Sequence, residues 1–115
     1  MRYMLLIYSN PSAWADQSQA QQMMADYGAF TQSIVESGEL LAGDPLQGID
    51  TATSVRVRDG RVDQTDGPFA ETKEVLGGYY IVDVPDLDRA TALAAQIPDA
   101  RYGTVEVRAI QEMPG

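Results

Sequence analysis

Two segments of this chain predict β-strands that are apolar on both faces. In residues 2–8, Met4 and Leu6 fall on one face and Leu5 on the other, because successive side chains of a strand point to opposite sides. Residues 77–84 repeat this pattern. Such strands are typical of the centre of a sheet that is covered on both sides. We therefore expect both segments to be central strands of one sheet.

The other periodic segments predict two helices and two further strands. Apolar residues recur at helical spacing over residues 18–36, where Ser18 and Gln21 have the spacing of a capping box. A second helix is predicted to begin at the capping residue Asp86 and to end near residue 97. The additional strands are predicted at residues 40–42 and 104–110.

The clearest local signal is a β-hairpin with a two-residue turn. Alternating segments flank Asp-Gly at residues 59–60, a dipeptide favoured in tight hairpin turns. This turn predicts that Val57 lies opposite Val62 and that Arg56 lies opposite Asp63, which gives one apolar face and one charged face. The basic side chains of the charged face are Arg56, Arg58 and Arg61. We expect that face to be solvated; the alternative is a patch for a protein partner or an anion.

The order of elements predicts the fold class. Strand, helix, strand, hairpin, strand, helix and strand form the ferredoxin-like βαββαβ arrangement once the hairpin is set aside. We therefore predict a single α+β domain over residues 1–115 with an inserted β-hairpin. Two helices cover only one face of a four-stranded sheet, so a homodimer packed sheet against sheet would cover the other. Clefts between the sheets and the subunits would then be natural ligand sites.

The composition excludes several kinds of chemistry. The chain has no cysteine and no histidine, which removes thiolate nucleophiles and the most frequent general base and metal ligand. Acid–base chemistry must therefore use Asp, Glu, Tyr or the single lysine, Lys73. The formal net charge is −9, from 8 basic and 17 acidic residues. This charge disfavours nucleic acids and anionic membranes as partners, because both require a basic surface.

The sequence contains no pattern typical of export, membrane insertion, metal binding or nucleotide binding. The apolar start is interrupted at residues 10–11, which makes it too short for a signal peptide or a membrane span, so we expect a cytoplasmic protein. No acidic spacing matches a calcium loop, and the Gly-Gly pair at residues 77–78 lacks the lysine and helix of a phosphate-binding loop. We therefore predict no metal and no cofactor.

Residues 66–74, Asp-Gly-Pro-Phe-Ala-Glu-Thr-Lys-Glu, closely resemble the signature of the DGPF proteins, a branch of the YCII-related family. Residues 3–8, 77–80 and 100–103 also resemble segments of that family, so the resemblance covers nearly the whole chain. It implies a dimeric α+β barrel, in agreement with the homodimer inferred from the strands. YCII-like proteins are mostly uncharacterised, and DGPF members are often encoded beside alternative sigma factors.

A few YCII relatives are enzymes that act on small cyclic compounds and are similar in fold to muconolactone isomerase. In those enzymes a histidine on the first helix, paired with an aspartate, is the proposed acid–base dyad. The resemblance places Tyr27 at the position of that histidine. Because tyrosine has an ordinary pKa near 10, it is a poor base at neutral pH. The resemblance thus implies the fold of these enzymes without their dyad.

The signature segment supplies four candidate site residues. Asp66 and Glu71 are candidate bases, Lys73 is a candidate contact for an anion, and Phe69 is a candidate apolar wall. Each has a structural alternative as well. Asp66 can accept hydrogen bonds within its own turn, and Lys73 can be a solvated cation between two acids.

Three candidate residues lie outside the signature. Tyr27 can pack in the core with its hydroxyl on a partner, or present that hydroxyl to a pocket. Tyr79 is a second candidate wall. Arg101, just before the last strand, can bind a carboxylate or form an exposed ion pair.

These observations predict a homodimeric protein that binds a small ligand or has an accessory role, with regulation as one option, and with its pocket between the sheet and residues 66–74. The ligand is expected to carry an anionic or polar group. The missing histidine favours this interpretation. The alternative is a small isomerase- or lyase-type enzyme that uses Asp66 or Glu71 as the base on a small organic acid or cyclic compound. A third hypothesis is a protein-interaction domain that uses the charged face of the hairpin.

Overall fold

Four strands form one antiparallel sheet in the computed structural model, which describes residues 1–114. The strands are β1 (Arg2–Ser9), β2 (Leu40–Pro45), β3 (Thr53–Arg58), β4 (Arg61–Asp66), β5 (Val75–Asp83) and β6 (Thr104–Ala109). The helices are α1 (Pro11–Ala15), α2 (Gln17–Glu36) and α3 (Leu87–Gln96), and short 3-10 turns span Ile49–Thr51 and Pro98–Arg101. The chain is therefore a mixed α+β protein, as its sequence predicts.

The sheet has the order β2-β5-β1-β6, and β3 and β4 form a separate two-stranded sheet. All pairings in the larger sheet are antiparallel. With β3 and β4 set aside, this is the strand order of a ferredoxin-like βαββαβ fold. The two central strands are β1 and β5, which are the segments whose apolar pattern predicts a central position.

The core lies between one face of this sheet and helices α2 and α3. Leu5 of β1 and Val82 of β5 are 0% exposed, and they pack in one cluster with Ile34 of α2 and Leu93 of α3. Full burial of each such side chain contributes about 1.5–3 kcal/mol. This cluster fixes α2 on the sheet and therefore fixes the position of every side chain that α2 presents beside it.

The opposite face of the sheet is less well covered. On β1 the side chains alternate between buried and half-buried, and Met4 and Leu6 belong to the half-buried set together with Ile81 of β5. Within residues 1–114, α2 and α3 pack on the Leu5 face. The expectation that one chain leaves an apolar sheet face uncovered by its own helices is therefore consistent with the fold.

The start of the long helix differs from the prediction. Asp16, rather than Ser18, caps α2, and its carboxylate accepts a hydrogen bond of 3.0 Å from the backbone N–H of Gln19. The predicted capping box at Ser18 is therefore wrong. A carboxylate carries a full negative charge beside the positive end of the helix, so it caps better than a hydroxyl placed two residues later.

A short helix, α1, stands where the sequence predicts only the end of a strand. Asn10 caps it by accepting a hydrogen bond of 3.1 Å from the N–H of Ser12, and Pro11 occupies its first turn. Proline favours that position because the first turn of a helix does not need its N–H. This helix carries Trp14, which lines a cleft at one end of the larger sheet.

Strands β3 and β4 and their turn, residues 53–66, form a hairpin arm. Val57 pairs with Val62 and Arg56 with Asp63, which confirms the predicted register. Asp59 and Gly60 have φ angles of 52° and 73°, as a tight hairpin turn requires. Apart from Ser54 the arm is exposed throughout. The radius of gyration is 16.1 Å, against about 13 Å expected for a compact chain of this length, because the arm stands away from the larger sheet.

Candidate functional site

A cleft of about 490 Å³ lies where α1 and α2 meet one end of the larger sheet. Its walls are mainly apolar and are formed by Ile7, Pro11, Trp14, Met24, Leu46, Val75 and Tyr80. Two polar side chains that line it, Tyr27 and Asp99, are hydrogen-bonded to each other. A cleft of this size and character is typical of a site for a small organic molecule.

A buried carboxylate lies at the base of the cleft. Asp99 is 2% exposed and is the one buried charged side chain among residues 1–114. Trp14 Nε1 donates a hydrogen bond of 2.9 Å to Asp99 Oδ1, and Tyr27 Oη donates one of 2.5 Å to Asp99 Oδ2. Both oxygens of Asp99 therefore accept hydrogen bonds from neutral donors, and Asp99 is not among the ion pairs of the described residues. These hydrogen bonds offset part of the free-energy cost of burying its charge.

The 3-10 turn Pro98–Arg101 fixes the position of Asp99. The backbone carbonyl of Asp99 accepts hydrogen bonds from the N–H groups of Tyr102 and Gly103, at 3.1 and 2.7 Å. A side chain at Gly103 would collide with the carbonyl oxygen of Tyr8 at the end of β1. Glycine at this position therefore permits the close approach that sets the turn, and Asp99 with it, against the first strand.

Tyr27 stays protonated and offers its oxygen to the cleft. Burial and the hydrogen bond to Asp99 raise the pKa of Tyr27 well above its ordinary value. Its ring stacks on Trp14, with centroids 6.3 Å apart and planes inclined by 25°. Because its one proton is donated to Asp99, the capacity that remains on Tyr27 Oη is that of an acceptor.

A second tyrosine–aspartate pair lies on the face of the sheet opposite the helices, because Tyr79 is the ladder partner of Leu6 and alternates with the helix-facing Tyr80. Tyr79 Oη donates a hydrogen bond of 2.9 Å to Asp44 Oδ2. That hydrogen bond and the negative charge of Asp44 raise the pKa of Tyr79. Strands β2 and β5 position this pair, since Asp44 and Tyr79 are partners in their ladder. Tyr79 therefore also keeps its proton, but its hydroxyl lies on the other side of the sheet from Tyr27.

The lining is electrostatically one-sided. It includes the carboxylate of Asp99, and none of the described side chains that line it is a lysine or an arginine. Charge in a largely apolar cleft acts more strongly than charge in water. The cleft therefore favours neutral or cationic ligands over anions.

The predicted site residues fall into two groups. Tyr27 and Tyr79 both border the cleft, but the side chain of Tyr79 points to the opposite face of the sheet, so the two hydroxyls do not meet. Arg101 lies outside it, where the guanidinium forms an ion pair of 2.8 Å with Asp26 and lowers the pKa of that carboxyl. The exposed ion pair weighed from the sequence is thus the arrangement found for Arg101.

The signature residues do not reach the cleft. Asp66 ends β4, and Glu71 and Lys73 follow it in the exposed segment before β5. Phe69 is 81% exposed and borders a shallow depression of about 200 Å³ on the charged face of the hairpin arm, beside Arg56. Residues 67–74 connect the arm to β5, and none of them lines the cleft. Neither Asp66 nor Lys73 nor Tyr27 borders this depression, so the pocket predicted between the sheet and residues 66–74 stays a prediction.

The sequence predicts neither Asp99 nor Trp14 as a site residue. Two weak signals point to them. Trp14 is the only tryptophan of the chain, and Asp99 is a lone acid in an otherwise apolar stretch, Ile-Pro-Asp-Ala. Their contact joins residues 85 positions apart, so no local pattern could reveal it.

Two further features of the described residues concern metal binding and membrane insertion. In residues 1–114, no three acidic side chains are grouped so as to hold a metal ion. Over the same residues, no helix is both long and apolar enough to cross a membrane.

Comparisons with known proteins agree with this fold. The model of the YCII-related domain matches residues 1–114. An uncharacterized protein of Rhizobium meliloti is 35% identical over 113 residues, which cover 94% of this chain and 90% of that protein. A solved structure of 5-chloro-2-hydroxyhydroquinone dehydrochlorinase (TftG) from Burkholderia phenoliruptrix, in complex with 2,5-dihydroxybenzoquinone, is similar with a TM-score of 0.57 at 13% identity, over 98% of this chain and 96% of that one.

Proposed function

This chain belongs to the YCII-related family, and we propose that it binds a small cyclic organic compound in the cleft and moves a proton on it through Tyr27 and Asp99. The observation that carries the proposal is the burial of Asp99 in the wall of the cleft, where its carboxylate accepts a hydrogen bond from Tyr27, which lines the cleft as well. A buried acid in a largely apolar cleft is an arrangement that enzymes use for acid–base chemistry.

The geometry supports a relay of two protons. A ligand O–H or acidic C–H bond breaks as its proton passes to Tyr27 Oη, while the proton of Tyr27 passes to Asp99 Oδ2. Tyr27 ends neutral, Asp99 ends protonated, and the ligand carries the negative charge that Asp99 had. The reverse steps return a proton to the ligand. Tyr27 cannot act as the base alone, because its raised pKa disfavours the phenolate.

Two further findings support a cyclic ligand. The similar solved structure is that of a dehydrochlorinase of a hydroxylated ring compound, in complex with a dihydroxybenzoquinone. In addition, the resemblance places Tyr27 where related enzymes have the histidine of an acid–base dyad, and in this fold Tyr27 contacts a buried aspartate. A tyrosine–aspartate couple in place of a histidine–aspartate couple is consistent with a chain that has no histidine.

A binding or accessory role without turnover is the second candidate. Both oxygens of Asp99 already accept hydrogen bonds, and these join α1 and α2 to the turn Pro98–Arg101. In that case Asp99 braces the cleft and a ligand binds without chemical change. The two candidates differ in whether a bound ring compound exchanges protons.

The single tryptophan provides the measurement. The indole N–H of Trp14 gives one NMR signal and lies at Asp99, so a ligand in the cleft shifts it. We expect hydroquinone to shift this signal, and we expect the protein to accelerate exchange of the α-hydrogens of cyclohexanone in D₂O. Tyr27→Phe and Asp99→Asn are each expected to slow that exchange by about a hundredfold, since general acid–base catalysis is usually worth that much or more.

The matched control is Asp66→Asn, which removes the first carboxylate of the signature and leaves the cleft intact. We expect it to change neither the Trp14 shift nor the exchange rate. Binding without accelerated exchange would support the accessory role. An exchange rate that falls in Asp66→Asn and not in Asp99→Asn would contradict the proposal.

We also propose that two chains pair through the sheet face opposite the helices. The half-buried side chains of Met4, Leu6 and Ile81 on that face support this homodimer. Sedimentation equilibrium at micromolar concentration measures it, and Leu6→Lys is expected to shift the mass toward that of one chain. A wild-type protein that sediments as a single chain would contradict it.

A further inference from the structure

The proposed proton relay leaves a negative charge on the ligand, and the described lining of the cleft has no lysine or arginine to receive it. Charge that develops in an apolar site is stabilised by hydrogen-bond donors that are already aimed at it. The hydroxyl of Tyr27 and the indole N–H of Trp14 both donate to Asp99, so neither has a proton left for the ligand. The developing charge therefore requires a different donor.

Tyr80 approaches the cleft from the same side of the sheet as Tyr27. It is the ladder partner of the helix-facing Leu5, and its ring packs edge-on against Phe30 of α2, with centroids 5.4 Å apart. Its side chain therefore points toward the helices, whereas that of the preceding Tyr79 points away from them. Tyr80 also lines the cleft. Its hydroxyl is thus a candidate donor on the face where Tyr27 lies.

A hydrogen bond with α2 holds the Tyr80 hydroxyl and leaves one proton free. Tyr80 Oη and Thr31 Oγ1 lie 2.6 Å apart, and either hydroxyl can donate to the other. Only one of their two protons lies between them, so the proton of Tyr80 is available to a ligand when Thr31 donates. Thr31 follows Tyr27 by about one turn of α2. Burial and Asp99 have the largest effects on the raised pKa of Tyr27, and Tyr80 adds to them, as expected of a neighbouring hydroxyl.

The backbone of Gly43 makes room for the Tyr80 ring. Gly43 is the ladder partner of Tyr80 on β2, and a Cβ at this position would collide with the ring atoms Cδ1 and Cε1. A larger residue would therefore displace the ring and its hydroxyl together. Gly43 on one side and Phe30 and Thr31 on the other thus hold the hydroxyl in place before a ligand binds, as electrostatic stabilisation of a transition state requires.

From this arrangement we propose that Tyr80 is a further catalytic residue of the cleft, which donates a hydrogen bond to the carbonyl oxygen of a neutral cyclic ketone while Tyr27 accepts a proton from the adjacent carbon. As that C–H bond breaks, its electron pair forms a C=C bond and the carbonyl π electrons move onto oxygen. The proton passes to Tyr27 Oη, and the proton of Tyr27 passes to Asp99. The enolate oxygen accepts the hydrogen bond from Tyr80, which keeps its proton. This inference rests on the proposed function, because it takes the cleft to be the ligand site.

Cyclohexanone labelled with ¹³C at its carbonyl carbon tests for the donor without depending on turnover. A carbonyl that accepts a hydrogen bond resonates downfield of one in an apolar environment. In Tyr80→Phe we therefore expect the resonance of the bound ligand to move upfield from its wild-type position. The matched control is Tyr79→Phe, which removes the same atom from the preceding residue, whose hydroxyl lies on the other face of the sheet. It should leave the bound resonance unchanged.

Exchange of the α-hydrogens of cyclohexanone in D₂O measures the effect on the reaction. Tyr80→Phe should lower kcat at least about tenfold, because one hydrogen bond is worth about that factor and a donor to a developing charge is worth more. KM should change less than kcat, since the bond strengthens only as charge moves onto the oxygen. Tyr79→Phe should change neither constant. Gly43→Ala keeps both hydroxyls but displaces the ring, so it should lower kcat and move the bound resonance upfield. It tests the proposal should Tyr80→Phe fail to fold.

Failure of this inference differs from failure of the proposed function. A bound resonance that does not move in Tyr80→Phe would overturn the inference alone, even if kcat falls, because Tyr80 would then have only a structural role. An equal effect of Tyr79→Phe would overturn it as well, and so would an upfield move in Ser9→Ala instead, since Ser9 also brings a hydroxyl to the cleft. If the resonance moves in Tyr80→Phe but the wild-type protein does not accelerate exchange, the donor stands and proton transfer is rejected. If cyclohexanone does not shift the Trp14 signal, both proposals are rejected.

Discussion

The cleft and the hairpin arm are opposite kinds of region within one small chain. The arm leads into the nine-residue signature, the most recognisable stretch of the sequence, yet Phe69 in that stretch is 81% exposed. The cleft has no contiguous motif, yet Asp99 at its base is 2% exposed and has both oxygens bonded. A stretch that identifies a family is therefore not necessarily the stretch that forms a binding site.

The difference follows from how each region is specified. The arm is held by neighbouring residues, a tight turn and a two-stranded ladder, and all of these are local. The cleft draws on α1, α2, β2, β5 and the turn Pro98–Arg101, so it exists only once the core has formed. We call the larger sheet with its helices the body. Equivalent substitutions in the body and in the arm should therefore change the stability of the protein by different amounts.

The largest expected contrast is between Leu5→Ala and Val57→Ala. Leu5 is fully buried in the central strand, and its truncation should lower the free energy of unfolding by about 2–5 kcal/mol. Val57 on the arm is 59% exposed, and its truncation should cost about 0.5 kcal/mol or less. Urea denaturation of both variants measures the difference.

A large decrease in the free energy of unfolding of Val57→Ala would contradict this expectation. It would mean that the valine face of the arm is covered in solution. If that cost grew with protein concentration, a second copy would be what covers it, because association stabilises the folded state by mass action.

The second contrast is between two glycine-to-alanine substitutions. Gly60 in the arm turn has a φ of 73°, so Gly60→Ala should destabilise the turn by about 1 kcal/mol. Gly28 lies within α2, where a Cβ would meet nothing within 4 Å, so Gly28→Ala should stabilise the body by about 0.5–1 kcal/mol.

Hydrogen exchange measured by mass spectrometry locates these effects. Gly60→Ala should speed exchange in β3 and β4 and leave β1 unchanged, since an isolated hairpin opens without the core. Faster exchange in β1 would show that the arm and the body unfold together, which would contradict the independent opening of the arm.

The smallest expected contrast concerns two carboxylates. Glu39 receives two hydrogen bonds from Arg89, at 2.7 and 2.8 Å, and one from Ser37 at 2.7 Å. These contacts lower the pKa of Glu39 from 4.5 to about 2, the bonds from Arg89 having the largest effect. On the arm, Asp63 lies opposite Arg56 in the ladder, but the two are not among the ion pairs of the described residues.

We expect Glu39→Gln to lower stability at pH 7 by about 0.5–1 kcal/mol and Asp63→Asn to change it by less than about 0.3 kcal/mol. Because the folded pKa of Glu39 is lowered, its contribution is present above pH 4.5 and is lost as the pH falls toward 2. Urea unfolding at several pH values should therefore show a smaller acid-side loss in Glu39→Gln than in the wild-type protein. An identical acid-side loss in both proteins would contradict the assignment.

Much of the fold was predictable because it depends on short-range patterns. The Asp-Gly turn fixes the register of the arm, and the capping residue Asp86 accepts a hydrogen bond from the N–H of Arg89, as predicted. The apolar faces of β1 and β5 predict their central place in the sheet. The errors lie at Asp16 and Pro11, where two signals compete within a few residues and a sequence pattern does not rank them.

The site was less predictable, because its geometry is long-range. Tyr27 could be proposed from its residue type, but its carboxylate partner lies 72 positions away in the sequence. Asp66, Glu71 and Lys73 are chemically suitable residues in a memorable motif, and chemical suitability does not determine burial. Only the packing of α1 beside α2 brings Trp14 to Asp99 and gives the cleft its base.

A substitution at Gly103 would disturb the cleft although the residue lies outside it. No atom of this residue lines the cleft, but any larger residue there would press the turn away from Tyr8 and carry Asp99 with it. A variant at this position would lose activity as if a reactive side chain had been removed, although every reactive side chain was still present. Surveys of natural variation that inspect only the cavity wall would overlook it.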